Sequence, residues 1–278
     1  MTGCVPTKIS GLTPEYLSTL VAESYPGLVV EDVDIKDVRG YGDADNILSV
    51  STSNQISMEL VYRDAGVAKV PRHVLAKMSF PDDMECSNPE LDPLFENEVL
   101  FYNRLRNEIE IETPLGLGGD FDRESKRFIL LLEDLRQKSA HINSMMDDDN
   151  IKVVEAVLET YAKLHARFWG TPRFSADLSW VQNQVSGTIE DMFDGSIKEH
   201  VIREFDREKF KLEFAQEYGL TEQEMFDGEK ALKRHFDGLE HTVLHGDAHF
   251  ANTYILPDGR GGLIDWQVFT RGYFMFDV

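Results

Sequence analysis

A chain of 278 residues, 42% of them hydrophobic, is long enough for two lobes with real cores, and its formal net charge of −22 argues against nucleic acid or an anionic membrane as partner. Two cysteines, Cys4 and Cys86, indicate neither a disulfide framework nor a cysteine-rich zinc site. The N-terminus has no apolar run of the signal-peptide kind, and no stretch approaches the roughly eighteen apolar residues of a membrane span, so no membrane partner and a reducing, cytoplasmic location are expected.

Thr13-Pro14-Glu15 predicts a helix start, with Thr as cap and Pro in the first turn, and Tyr16, Leu17, Leu20 and Val21 form an apolar stripe behind it. Four β-like runs follow: Leu28 to Val33, Asp37 to Tyr41, Asn46 to Thr52, and Ile56 to Arg63. The turn-rich Y-G-D-A-D and S-N-Q segments between them predict an antiparallel meander. Gly40-Tyr41-Gly42 lies between two of these strands. Paired glycines let main-chain amides approach phosphate oxygens with no Cβ in the way, so Gly40 and Gly42 are candidate phosphate contacts. His73 to Phe80 reads as a further strand, with Val74, Ala76 and Met78 on one side and Leu75 and Lys77 on the other. Lys77 is flanked by apolar residues, which argues against a purely solvated role.

Asp92-Pro93 predicts a second helix, with Asp as cap and Phe95, Val99, Tyr102 and Leu105 on its apolar face. Glu98 falls at the edge of that face, where a carboxylate can reach inward to Lys77. Pro114 to Gly118 marks a break, and Arg127 to Leu132 is a short, continuously apolar strand of buried type. Ile151 to Trp169 is an amphipathic helix on which Val157, Tyr161, Leu164, His165 and Phe168 recur at helical spacing. Residues 175 to 240 read as helical and highly charged, with a capping box at Thr221 and Glu224.

The most informative stretch is V-L-H-G-D-A-H-F-A-N, residues 243 to 252, followed by G-L-I-D-W-Q, residues 262 to 267. His245, Asp247 and Asn252 reproduce the H-x-D-x-x-x-x-N spacing of a kinase catalytic loop, and V-L-A-K around Lys77 is close to the kinase V-A-I-K. Phosphoryl transfer needs a carboxylate to accept the proton of the attacking hydroxyl, plus an amide oxygen and a second carboxylate to hold metal on the nucleotide phosphates. Asp247, Asn252 and Asp265 supply that set. Thr253 to Leu256, the P-D-G-R turn and Gly262 to Ile264 predict a hairpin that returns Asp265 to the side of Asn252.

H-G-D-A-H-F-A-N, then I-D-W-Q, Gly272 and Asp277, resembles the aminoglycoside phosphotransferase and choline kinase-like family, with the ecdysteroid kinase-like branch the most similar. The resemblance implies an α+β, two-lobed kinase-like fold, with an antiparallel-sheet N-lobe over residues 1–135 and a mostly helical C-lobe over 136–278. It implies Asp247 as the base, Asn252 and Asp265 as magnesium ligands, and Glu98 rather than Glu96 as the partner of Lys77. L-L-L-E-D-L becomes the adenine-contacting hinge, which places Glu133 and Leu135 at the nucleotide, and Gly272 and Asp277 brace the catalytic loop. His245 positions that loop rather than binding zinc. The implied reaction is transfer of the ATP γ-phosphate, with Mg²⁺, to a small-molecule hydroxyl acceptor. Relatives usually continue with further C-lobe helices beyond the point reached at Val278. The alternative expectation is therefore a nucleotide-binding protein without turnover, and an uncovered C-lobe surface could support a homo-oligomer.

Overall fold

The computed structural model describes residues 5–39, 53–63, 70–79, 91–144, 151–199 and 216–278. They form an α+β chain that divides into two compact units, Met1–Thr160 with His249–Gln267, and Tyr161–Ala248 with Val268–Val278.

The first unit opens with α1 (Pro14–Val21), whose N-cap Thr13 accepts the Tyr16 N–H at 3.3 Å, as the Thr-Pro-Glu signal predicts. Its described residues include a five-stranded sheet of β1 (Val29–Arg39), β2 (Asn54–Arg63), β3 (His73–Met78), β4 (Gly116–Asp122) and β5 (Arg127–Glu133). The strand order is β1-β2-β3-β5-β4, and every neighbouring pair is antiparallel. This is the antiparallel sheet that the sequence leads one to expect. One feature differs. The first two β-like runs are a single strand, because β1 keeps its pairing with β2 through register shifts at Val30/Asp32 and Ile35/Asp37. Each bulge absorbs a residue without ending the ladder, so the polar Glu31 to Lys36 stretch stays in the sheet.

β3 shows the predicted alternation: Val74, Ala76 and Met78 are fully buried and join Leu17, Ile56, Met58, Leu60, Ile129 and Leu131 in one core. α2 (Asp92–Arg104) starts one residue earlier than expected. Leu91 holds the cap position, and Asp92 sits in the first turn, where its charge suits the helix dipole. Phe95 of α2 stacks on Phe128 of β5 with ring centroids 4.2 Å apart.

Residues up to 160 and the hairpin group with the first unit. Pairing explains this. β6 (His141–Ile142) is antiparallel to β8 (Thr253–Ile255), which is in turn paired with β9 (Gly261–Leu263). Helix α3 (Ile151–Phe168) begins in this unit, and its Thr160 Oγ1 donates to the Gly261 carbonyl at 2.9 Å. Gly261 permits that approach, because a Cβ there would lie 2.6 Å from the Ala156 carbonyl oxygen.

In the second unit, the end of α3 buries Leu164 and Phe168. Among its described residues, the charged region is less helical than expected. Its described helices are α4 (Thr188–Met192), continued by a π-turn over Phe193–Ile197, the single turn Gln216–Tyr218, and α5 (Glu222–Asp237). The segment before α4 is drawn into extended pairing instead: Arg271 N–H donates to Gln182 O at 2.8 Å and Gln184 N–H to Arg271 O at 3.1 Å. The capping box at Thr221 and Glu224 forms as read. β7 (Thr242–Leu244) pairs with β10 (Thr270–Gly272), and β7 runs straight into the H-G-D loop. Among the described residues no helix is long and apolar enough to cross a membrane.

Candidate active site

In the first unit the structure gathers three of the predicted residues around one ammonium. Lys77 Nζ donates to Glu98 Oε1 and Oε2 at 2.8 and 3.0 Å and to Asp265 Oδ1 at 3.0 Å. Lys77 is 9% exposed and Glu98 0%, whereas the Asp265 side chain keeps 35% of its surface. Burial alone pushes Lys77 down. The charges of Asp265 and Glu98, and the bonds from both, outweigh it and hold the ammonium above the ordinary lysine range. Lys77 is therefore cationic at any working pH.

Several contacts absent from the sequence reading fix this cluster. Gln267 Nε2 reaches Glu98 Oε2 at 3.5 Å, and Asn97 Nδ2 donates to the Gln267 carbonyl at 2.9 Å. Trp266, fully buried, stacks on Phe101 of α2 at 3.9 Å and 9° and donates from Nε1 to Thr113 Oγ1. The D-W-Q triplet is thus tied to α2 through Trp266 and Gln267, the two residues that follow Asp265. Asp265 itself adopts φ +66°, a left-handed conformation that Asp and Asn tolerate better than most side chains. The Ile264 N–H donates to the Asn252 carbonyl at 2.9 Å, so the hairpin returns Asp265 beside Asn252 as its turn signals predict.

Glu133 and Leu135 line a cavity of ≈ 240 Å³ together with Leu75, Lys77, Tyr102, Leu132 and Asp265. The Glu133 carboxylate is occupied by the Leu115 N–H at 3.3 Å and Lys138 at 2.9 Å. Sequence reasoning missed the clasp beside it. Arg136 grips the Asp134 carboxylate and donates to Ser57 Oγ of β2 at 2.6 Å. Burial pushes Asp134 up, but the Arg136 guanidinium and N–H prevail and hold its carboxyl below the usual range. Gly40 and Gly42 lie outside the described residues.

The second unit carries His245 and Asp247. His245 is fully buried, and its main-chain N–H donates to Asp277 Oδ2 at 2.8 Å, while Gly246 N–H donates to Asp277 Oδ1 at 2.9 Å. His165 Nε2 contacts the same Oδ2 at 2.9 Å. The Asp247 N–H donates to His245 Nδ1 at 3.4 Å. Asp247 is half-buried. Gly246 has φ +83°, and a Cβ there would lie 2.2 Å from the Val268 carbonyl oxygen. Gly246→Ala should therefore destabilise the unit by at least about 1–3 kcal/mol from backbone strain alone. A urea midpoint equal to that of the wild type would contradict this.

The model of the phosphotransferase enzyme family, APH, matches residues 84–278. No curated protein shows significant similarity to the chain. Among solved structures, the ternary complex of APH(2″)-IIa with streptomycin and ATP is 15% identical, covering 88% of this chain and 69% of that one, at a TM-score of 0.43. Choline kinase LicA from Streptococcus pneumoniae is 15% identical over 88% of this chain and 67% of its own, at 0.39. Macrolide 2′-phosphotransferase MphH from Brachybacterium faecium is 13% identical over 93% and 74%, at 0.44.

Proposed function

We propose, for a chain that belongs to the phosphotransferase enzyme family, that the reaction is transfer of the γ-phosphoryl group of ATP to a hydroxyl of a small molecule. The observation that carries this reading is Lys77, held between a buried and a half-exposed carboxylate at the edge of a cavity that the Glu133–Leu135 segment also lines. A lysine so placed is oriented and permanently charged. Family membership supports a small-molecule acceptor.

Each residue then has a role its surroundings suit. Lys77 binds the nucleotide phosphates, and Glu98 fixes its head while itself anchored by Gln267. Asn252 and Asp265 would hold magnesium. Both offer hard oxygen donors, as that ion requires, and among the described residues there is no group of three or more His, Cys, Asp or Glu that could hold a metal ion, so the remaining oxygens would come from nucleotide and water. Magnesium, when bound, neutralises charge on the β- and γ-phosphate oxygens. The main chain at Glu133 and Leu135 would meet the base. Asp247 takes the proton of the acceptor hydroxyl as its oxygen bonds to the γ-phosphorus and the bond to the ADP oxygen breaks. His245, through the Asp247 N–H, sets where that carboxylate stands.

Nucleotide binding tests the site. ATP with magnesium should stabilise the protein against heat by about 2.7 kcal/mol at a concentration a hundredfold above Kd. In Asp265→Asn, which keeps the left-handed turn, the extra stabilisation that magnesium brings should be largely lost. No shift with any nucleotide, or equal magnesium dependence in both proteins, would count against the assignment.

A further inference from the structure

The sheet register places three polar residues in one transverse row. Arg39 of β1 pairs with Gln55 of β2, and Gln55 pairs with Lys77 of β3. Directly opposed residues of antiparallel strands share a face, so these side chains stand on the same side of the sheet. All three line the cavity that Glu133 and Leu135 also line. Two strand spacings, about 10 Å, separate the Arg39 and Lys77 main chains. Ser57, Leu75 and Leu132 form the next row, again on the cavity, and Leu132 directly precedes Glu133. The row with Arg39 is thus the one farther from the segment assigned to the base, at the end where Lys77 meets the phosphates.

A triphosphate entering a chain of net charge −22 needs cations at the cavity itself. Among the described residues, Arg39, Lys77 and Arg136 supply them, beside the carboxylates of Glu133, Asp134 and Asp265. Lys77 sits between Glu98 and Asp265, and Arg136 on Asp134, whose side chain is 9% exposed. Arg39 differs. Its Nε donates at 3.0 Å to Asp37, two residues earlier, and the two side chains are 65% and 46% exposed. An exposed pair of this kind is worth little and is readily exchanged for a phosphate, which an arginine fork meets with two parallel hydrogen bonds.

We propose that Arg39 is a second phosphate ligand of the nucleotide site: its guanidinium turns from Asp37 onto the phosphate chain, which is then gripped from β1 as well as from Lys77. Asp37 is the counterion that the phosphates displace. This inference rests on the reading of the cavity as a nucleotide site.

Calorimetric titration with magnesium–ATP and with adenosine separates the phosphate contribution from that of the nucleoside, and it needs no acceptor. In Arg39→Gln, Kd for ATP should rise about tenfold or more, the scale of hydrogen bonds to a charged group, while Kd for adenosine stays unchanged. Asp37→Asn should act with the opposite sign and tighten ATP, because Arg39 then has no carboxylate to leave. In Arg39→Gln/Asp37→Asn that gain should vanish, since both changes act through one guanidinium. Both positions are exposed, so all three variants should keep the wild-type thermal midpoint without nucleotide. Wild-type ATP affinity in R39Q would overturn the proposal alone, as would a loss for adenosine equal to that for ATP. An ATP affinity that falls in D37N as it does in R39Q would overturn it too, leaving Arg39 and Asp37 a structural pair. A wild-type protein that binds neither ATP nor adenosine would defeat the nucleotide-site reading, and the proposal with it.

Discussion

Lys77→Met should destabilise the protein by about 3–5 kcal/mol, the loss typical of removing one partner from a buried ion pair. The reason is local. Glu98 is fully buried, and with Lys77 gone its charge would keep only Gln267 while facing Asp265. The loss should be largely recovered in Lys77→Met/Glu98→Gln, where the uncompensated charge is removed as well, so the two substitutions will not add. Chemical denaturation of the two single variants and the double variant measures this directly. A double variant as unstable as the sum of the singles would mean that Lys77 and Glu98 are not energetically paired. Even a restored fold should not restore nucleotide-dependent turnover, because methionine cannot contact a phosphate.

Asp247→Asn should lower kcat by about 10²–10⁴-fold, the usual contribution of a positioned general base. Asparagine fills the same volume and leaves intact the main-chain N–H that meets His245 Nδ1, so the loop and its hold on Asp277 should persist. Nucleotide affinity and thermal midpoint should therefore match those of the wild type. A D247N protein with normal kcat would remove the base from the mechanism. One with weakened nucleotide binding would move Asp247 from proton acceptance to phosphate or metal contact.

The parts legible in the sequence were those fixed by local chemistry. Thr13 and Glu224 announce helix starts because a cap needs only neighbours along the chain. The alternation through His73 to Met78 sets which side chains face the core, and Lys77 follows from it. The hairpin between Asn252 and Asp265 is signalled by its P-D-G-R turn, where Gly259 takes φ +87°. What the sequence hid is long-range. Gln267 meets Glu98 across 169 positions and Arg136 meets Ser57 across 79, and neither pair has a spacing or periodicity that could reveal it. The unity of β1 was hidden for another reason: bulges break the period-2 pattern without breaking the strand. The division into compact units was hidden in the same way as those long-range contacts, because it follows pairing between β6 and β8, two short strands far apart in sequence.

The most direct measurement is incubation of the purified protein with magnesium–ATP and a panel of small alcohols, including amino sugars, amino alcohols and steroids, followed by mass spectrometry of the acceptors. A phosphotransferase of the kind proposed will add one phosphoryl group to at least one acceptor and release one ADP for each, and neither Lys77→Met nor Asp247→Asn will do so at a comparable rate. ATP that binds and stabilises the protein, with no acceptor phosphorylated and no ADP released above the rate of Asp247→Asn, would contradict the catalytic account and leave a protein that only binds nucleotide.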